Sequence, residues 1–395
     1  MNSAYDVIVI GAGPAGAMAA EAAAKAGCSV LIAEKRAAIG TPLRCAEGIF
    51  RQDLEPFIQP DMAWIDAEIR CGVLVAPDGR KVTVTSPDTC GYVLDRKRFD
   101  RALIWKAVDA GAEVVVRARA VPLMENGKVA GALITENGVE TAVRAKVVIA
   151  CDGVESQFAK RAGIPTTLPL SGIVTCAEYL VAGTGTPDDT LYFYFSHEYA
   201  PGGYAWVFAK GNGRANVGLG IPANQAGDGR RPKEYLDRFV QKLFPQGKIM
   251  ELVTGGVPVT APLAKTYADN LLIAGDAAHV ADPLTGGGIY QALYTGRLAG
   301  ETAAAAIAAG NTSAEKLAEY DAAWRISPMG LGLRLSLAGR EKYVTLDDTQ
   351  ISQVLAEFAD VELEEISVRN VLLAELKARP QILLHIPGLL KLLKK

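Results

Sequence analysis

Three stretches of the sequence carry residue types and spacings that can do chemistry. The first is Gly11-x-Gly13-x-x-Gly16 with Glu34 eighteen residues further on. Gly11 permits a tight turn, Gly13 lets the backbone approach a pyrophosphate, and Gly16 lets a helix pack closely on a sheet, while Glu34 can accept hydrogen bonds from a ribose diol. The second is Arg44-Cys45-Ala46-Glu47-Gly48, where a thiol stands between charged neighbours in a segment with little periodicity. Cys45 is either a small buried filler or a working thiol, and Arg44 and Glu47 favour the second. The third is Gly275-Asp276 followed by Gly286-Gly287-Gly288-Ile289, a carboxylate and a glycine-rich loop ahead of a second helix.

These residues need elements to hold them. Tyr5 to Ile10 and Val30 to Ala33 are apolar strand runs flanking an alanine-rich helix to Ala26, a βαβ unit whose helix N-terminus faces the anion. Leu271 to Gly275 is a further buried strand, and a helix runs from Ile289 to about Ala309. Two nucleotide-type loops so far apart suit FAD, with its adenosine on the first unit and its isoalloxazine near the second, where a helix N-terminus stabilises the reduced ring anion. Gly72 to Ser86 reads as a hairpin around Pro77-Asp78-Gly79, and Leu94 to Asp100 opens a helix to Ala110. At least one of Arg96 and Arg98, at that helix start, faces an anion. Val129 to Thr135 and Val139 to Ala145 read as a β pair. Lys146 to Cys151 reads as a separate buried strand ending in Asp152-Gly153.

From Ser171 to Pro262 the pattern is mostly β, with strands at 173–181, 191–195, 204–208 and 215–221 and a helix from Pro232 to Phe244. Strand alternation puts Tyr204, Trp206 and Phe208 on one face, which serves either as core or as the wall of an apolar ligand site. The fold class is therefore α/β, becoming α+β in a second lobe. Residues 1–60, 92–165 and 266–310 form a discontinuous Rossmann-type FAD-binding domain. Residues 61–91 and 166–265 form an antiparallel-sheet substrate domain, and 311–395 a helical C-terminal region.

The chain has 395 residues, a net charge of −3 and no block of like charges, which argues against a general nucleic-acid surface. The six cysteines show no zinc spacing and the three histidines are scattered, so no metal site is expected. With no secretory signal and no run of apolar residues long enough to span a bilayer, the expected location is the cytoplasm, peripheral membrane contact being open to the apolar, lysine-ended tail from Ile382 to Lys395.

With these residues in view, the chain resembles the geranylgeranyl reductases, FAD-dependent enzymes that saturate isoprenoid double bonds in archaeal lipids, within the wider group similar to p-hydroxybenzoate hydroxylase. The wider likeness rests on the first glycine motif, Asp152-Gly153 and Gly275-Asp276. The narrower one rests on Pro42-x-x-Cys45-x-Glu47, Tyr204-x-Trp206-x-Phe208 and Gly218-x-Gly220. Ala209 stands where the family usually has proline, and a looser strand end is expected there. The resemblance implies that Ala15, Glu34, Cys45, Ala46, Gly48, Arg96, Ala120, Asp276, Gly288 and Ile289 contact FAD, with Gly11, Gly13 and Gly16 in the same cradle. It implies that Tyr204 and Trp206, with Phe208 on their face, line a prenyl pocket, and that Cys45 donates a proton or positions the flavin. The electron donor is NADPH or ferredoxin. The rival readings are an FAD monooxygenase of the same fold and a non-catalytic prenyl-lipid carrier.

Overall fold

The structure, a computed structural model, describes residues 1–227 and 230–358. β1 (Ala4–Ile10), α1 (Pro14–Lys25) and β2 (Val30–Ala33) make the first βαβ unit, and β2 is buried along its whole length. Pro14 opens α1, where its missing N–H costs nothing, and the N-cap Gly13 offers no side-chain bond to the first amides of the helix. Then come β3 (Gly48–Phe50), α2 (Arg51–Leu54), β4 (Ile65–Ile69), β5 (Cys71–Val75), β6 (Lys81–Thr85), β7 (Gly91–Leu94) and α3 (Arg96–Asp109). Asp95 caps α3 by accepting from Arg98 N.

β8 (Glu113–Val115), β9 (Ala118–Glu125), β10 (Lys128–Glu136), β11 (Val139–Ala150) and α4 (Gln157–Arg161) complete the first half. The second half begins with β12 (Ile173–Ala182), β13 (Thr190–Tyr194), β14 (Tyr204–Ala209), β15 (Arg214–Pro222), α5 (Pro232–Leu243) and β16 (Lys248–Pro258). It ends with β17 (Tyr267–Ala268), β18 (Leu271–Ile273), α6 (Ile289–Ala308), α7 (Ala314–Ile326), α8 (Pro328–Tyr343) and α9 (Asp348–Phe358).

The first sheet runs β17-β18-β11-β1-β2-β8, with β10 and β9 attached through β11. β1 lies parallel between β11 and β2, so the glycine loop after β1 and the Asp152 loop after β11 share one edge. β11 is one strand where two were expected. Its exposed first half pairs antiparallel with β10, and its buried second half pairs parallel with β1 and β18. The change from alternating to continuous burial gives one strand two sequence patterns. β3, β4, β7, β9, β16 and β17, with the short helices α2 and α4, are additions to the sequence-based reading.

α1 and α6 meet almost backbone to backbone. A Cβ on Gly296 would lie 2.2 Å from Ala15 O, and one on Gly300 2.2 Å from Ala19 O, so glycine on one helix and alanine on the other are what this contact admits. The main core fills the space between this sheet and α1, α3 and α6.

The second sheet runs β16-β12-β15-β14-β13-β5-β6, all antiparallel except for β5 beside β13. The hairpin read at 72–86 is thus part of this sheet. One face is covered by α5 through Leu236, Phe239 and Val240, while Trp206 and Phe208 lie in a separate cluster with Ala67, Ile69 and Val93. A small sheet, β3-β7-β4, stands between the two large ones. No helix among the described residues is long and apolar enough to cross a membrane, and the tail segment 382–395 lies outside the described residues.

Candidate functional site

The dinucleotide end is built as its glycine spacing requires. Gly11 has φ 102°, and a Cβ there would sit 2.4 Å from Cys151 O. One on Gly16 would sit 1.9 Å from Gly11 O, which forces the start of α1 onto the loop. Gly13, by contrast, has nothing within 4 Å on its Cβ side, leaving room for a group to approach the bare helix N-terminus. The Glu34 carboxylate accepts from Ala12 N at 2.9 Å and from Arg36 N at 2.8 Å, fixing the acid at the tip of β2. β9 starts beside it, since Ala118 N donates to Glu34 O, and Ala120 follows two residues along. Asp152 caps α4 through Phe158 N at 2.9 Å, while its Oδ1 is buried without a partner. An orphaned carboxylate oxygen on the same edge as an open helix N-terminus fits a polar cofactor in this cradle.

The second loop closes on the same helix. A Cβ on Gly275 would come 2.9 Å from Ala15 Cβ, so Ala15 and Gly275 meet where α1 starts. Asp276 stands on the short 3-10 turn after β18, with its Oδ1 3.1 Å from the Cβ position of Gly288. Burial pushes Asp276 up to about 6, with Arg96 pulling the other way. Gly288 caps α6 without a side-chain bond, and Ile289, the first helical residue, is buried. A second bare helix N-terminus therefore adjoins the first loop.

Arg96 finds its anion in Asp100, which takes Nε at 2.7 Å and a terminal nitrogen at 3.0 Å in a fork. The backbone N of Arg96 donates to Glu47 at 2.8 Å, which ties α3 to the Cys45 loop. Cys45 is half-buried, its Sγ accepting from Glu47 N at 3.2 Å. Burial pushes its thiol up, against the pull of Arg96.

Glu47 is the residue whose importance the sequence understated. It holds φ 74°, an uncommon conformation for a glutamate, and the residue is 1% exposed. It accepts from Lys210 Nζ and, at 2.7 Å, from Asn216 Nδ2. Lys210 also reaches Asp66 and, at 2.7 Å, Leu94 O. Burial works against the Lys210 charge, but Glu47 and Asp66 outweigh it and hold the ammonium above the ordinary lysine range. Lys210 follows directly on Ala209, where a looser strand end was expected. Instead β14 continues through a fully buried Ala209 paired with Ala215, and delivers Lys210 to the loop.

The aromatic face sits against that loop. Tyr204, Trp206 and Phe208 have ring centroids 5.8 and 6.4 Å apart in sequence, with Phe193 beside Phe208 at 5.2 Å. Phe208 Cε2 lies 3.1 Å from the Cβ position of Gly48, and Ala46 packs in the same cluster. Trp206 lies flat over Gly218, where a Cβ would be 2.5 Å from the indole, which explains the first glycine of Gly218-x-Gly220. The indole N–H donates at 2.7 Å to Glu178, a 4% exposed carboxyl that burial pushes up to about 8. A cavity of about 110 Å³ lies beside it, lined by Glu47, Lys210 and Asn216 among others. Among the described residues no cluster of His, Cys, Asp and Glu could hold a metal ion.

The structure thus gathers Cys45, Ala46, Gly48 and the three rings on one side, and Gly11, Gly13, Ala15, Gly16, Asp276, Gly288 and Ile289 around the start of α1. Glu34 stands beside the same glycine loop at the end of β2, with β9 and its Ala120 starting next to it, and Arg96 connects through Glu47. Glu178, Lys210 and Asn216 escaped the sequence-based reading. Their signal was polar residues in otherwise apolar strands or at strand ends.

The family model for the geranylgeranyl reductase catalytic domain matches residues 172–257, and one for an FAD-binding domain matches residues 6–52. The digeranylgeranylglycerophospholipid reductase of Methanoculleus marisnigri is 49% identical, covering 98% of this chain and 99% of its own. That of Methanosarcina mazei is 44% identical over 99% of this chain and 97% of its own. A geranylgeranyl bacteriochlorophyll reductase-like protein from Thermoplasma acidophilum superposes with a TM-score of 0.93 at 35% identity, over 97% of this chain and 98% of its own. The myxobacterial chondrochloren halogenase, at 17% identity and TM-score 0.68 over 95% and 97%, shares the fold alone. Two open helix N-termini on one glycine-rich edge, an aromatic wall against a cysteine loop and full-length relatives agree: the chain belongs to the geranylgeranyl reductase family and is an FAD-dependent oxidoreductase.

Proposed function

We propose that this protein saturates carbon–carbon double bonds in the geranylgeranyl chains of archaeal-type phospholipid precursors. The observation that carries the reading is the contact of Phe208 with Gly48, which sets the aromatic face of β14 against the Cys45 loop. When bound, FAD supplies the hydride.

An isolated alkene has no carbonyl to take up negative charge, so a proton must arrive with the hydride or ahead of it. Tyr204, Trp206 and Phe208 orient the chain and exclude water. Their ring faces attract the positive charge that develops at the tertiary carbon, a contribution of roughly 0.5–2 kcal/mol for such a contact. Cys45 keeps its proton at neutral pH because burial disfavours the thiolate, and it stands on the loop that meets this wall, which supports it as the donor. The residues assigned above to FAD contact belong to the same reading.

The test is anaerobic. The purified protein is photoreduced, geranylgeranyl phospholipid is added, and the flavin spectrum is followed together with the lipid mass. Reoxidation with two hydrogens gained per reduced bond is expected. A flavin that stays reduced until oxygen is admitted would overturn the reading in favour of a monooxygenase. No second G-x-G-x-x-G is present for a nicotinamide, so NADPH and ferredoxin are both assayed as electron donors.

A further inference from the structure

We propose that Arg340 forms an anion site at the Tyr204 end of the aromatic wall and there binds the phosphate of the prenyl substrate. The inference rests on the prenyl-reductase reading and names the part of the substrate that the wall itself cannot recognise.

Arg340 lies in the last turn of α8 and is 8% exposed. Its guanidinium has no carboxylate within 4.0 Å and makes no hydrogen bond among the described residues. Among the described residues the buried polar atoms without a partner are Asp152 Oδ1 and His279 Nε2. The Arg340 nitrogens therefore keep contact with solvent at the tip of an otherwise buried side chain, where an anion can reach them. Burial of the side chain holds Arg340 below the ordinary arginine range, with Tyr343 opposing. The carbonyl end of α8 supplies a favourable field but no partner for the five donors of the fork.

The neighbours on α8 locate the side chain. Ser336, Arg340 and Tyr343 share one face at i, i+4 and i+7. Ser336 Oγ donates to Asp282 Oδ2 at 2.6 Å, and the Cβ position of Gly339 lies 3.3 Å from Leu284. Tyr343 OH donates to Gly203 O at 2.5 Å, and its ring meets Phe195, which in turn meets Tyr204 at 5.9 Å. Tyr204 OH donates to Thr285 O. Arg340 therefore sits between two anchors, one on the 282–285 loop and one at the start of β14.

The nearest acid on that loop is already occupied. Asp282 accepts from Leu284 N, Thr285 N and Thr285 Oγ1 at Oδ1 and from Ser336 Oγ at Oδ2, bonds that hold it to its own loop and to α8. The other acid near Tyr343, Asp348, is bound by His197 and Ser196. Among the described residues no acid is left for Arg340, and a phosphate from outside offers the planar fork two oxygens at once. From Tyr204 to Phe208 the strand spans about 13 Å toward the Cys45 loop, so a chain held by its head at Arg340 runs along the rings toward the thiol.

The experiment uses the FAD-loaded full chain and three substrates with the same geranylgeranyl tail: the phospholipid, geranylgeranyl diphosphate and neutral geranylgeraniol. Arg340→Gln is expected to raise KM at least tenfold for the phosphate-bearing substrates, with kcat kept and KM for the alcohol unchanged. Arg340→Lys, which keeps the charge and loses the fork, should fall between. A rise for the phospholipid alone assigns the site to the lipid head group; a rise for both assigns it to phosphate in either setting. An equal rise for the alcohol, or no rise at all, overturns the proposal.

A wild-type measurement guards against a variant that fails to fold. Inorganic pyrophosphate should compete with the phospholipid and not with geranylgeraniol; absence of competition overturns the site. Calorimetric binding of geranylgeranyl diphosphate to the oxidised protein, weakened at least tenfold in Arg340→Gln, reads the site without turnover. Failure of the reductase reading looks different: wild-type protein would then reduce none of the three substrates.

Discussion

Glu178 is a carboxyl that the fold keeps protonated at neutral pH. Its value in the folded chain, about 8, lies above the ordinary 4.5, so between those pH values the folded state holds a proton that the unfolded chain has released. Its contribution is therefore complete below pH 4.5 and falls as the pH rises to 8, by an amount on the order of a few kcal/mol. Glu178→Gln keeps an acceptor for the Trp206 N–H and cannot ionise, so urea unfolding of this variant should lose that part of the pH slope and show higher stability than wild type at pH 8. Equal slopes in the two proteins would show that Glu178 is not the group responsible. Cys45→Ser is the complementary change. Flavin content should stay normal while turnover of geranylgeranyl lipid drops at least tenfold, since a hydroxyl is a far weaker acid than a thiol; full turnover would remove Cys45 from the chemistry. Glu178 bonds Trp206, and Cys45 packs against the main core on the loop whose Ala46 meets the Trp206 cluster, yet only the cysteine could be singled out from the sequence, because its charged neighbours marked it. Glu178 is one acid inside an apolar run, and nothing in a linear pattern says that Trp206 reaches it from another strand.

At the scale of elements, the Glu47–Lys210 pair ties three of them together: the Cys45 loop, the end of β14 and, through Arg96 N and Leu94 O, the start of α3. Removing one partner of a buried pair leaves the other uncompensated, at a cost of about 3–5 kcal/mol. Lys210→Met should therefore destabilise by that order in urea unfolding and loosen the loop, lowering turnover, while Glu47→Gln with Lys210→Met should recover part of the loss. Additive losses in the double variant would mean that the two side chains do not act as a pair. The elements themselves were largely legible. The βαβ unit, the 72–86 hairpin and strands β12 to β15 follow from apolar periodicity and turn residues, because each buries one side or both against a partner nearby in sequence. β16 was not, because its Ile249, Met250 and Leu252 face outward on a sheet edge and two glycines interrupt its pattern. β9 was not, because it alternates weakly and owes its place to β10.

For the whole molecule, the proposed FAD contacts are collected from residues near 11–16, 34, 45–48, 96, 120 and 276–289, so on that reading cofactor occupancy reports on the assembly of segments far apart in the chain. FAD binds the folded chain only, and at a hundredfold excess over Kd such binding is worth about 2.7 kcal/mol. Stripping the flavin should lower Tm by several degrees, and titrating it back should restore Tm progressively, as read by calorimetry. A Tm independent of FAD would mean that the folded chain does not bind the flavin. The two glycine-rich loops could be matched to one cofactor from the sequence. The closeness of Phe208 to Gly48 could not, since it joins residues 160 positions apart in the chain.

The double pairing of β11 bears on how the protein is made. A ribosome releases β1, β2, β8 and β11 well before β18, with strands β12 to β16 of the second sheet synthesised in between. Until β18 emerges, the buried end of β11 presents an unpaired row of backbone groups on Val148, Ile149 and Ala150, the residues that β18 later covers. An apolar open edge of this kind recruits strands from other chains. Nascent protein halted before residue 271 is therefore expected to aggregate, and arrival of the last few strand residues closes the edge and commits the first sheet to its final order.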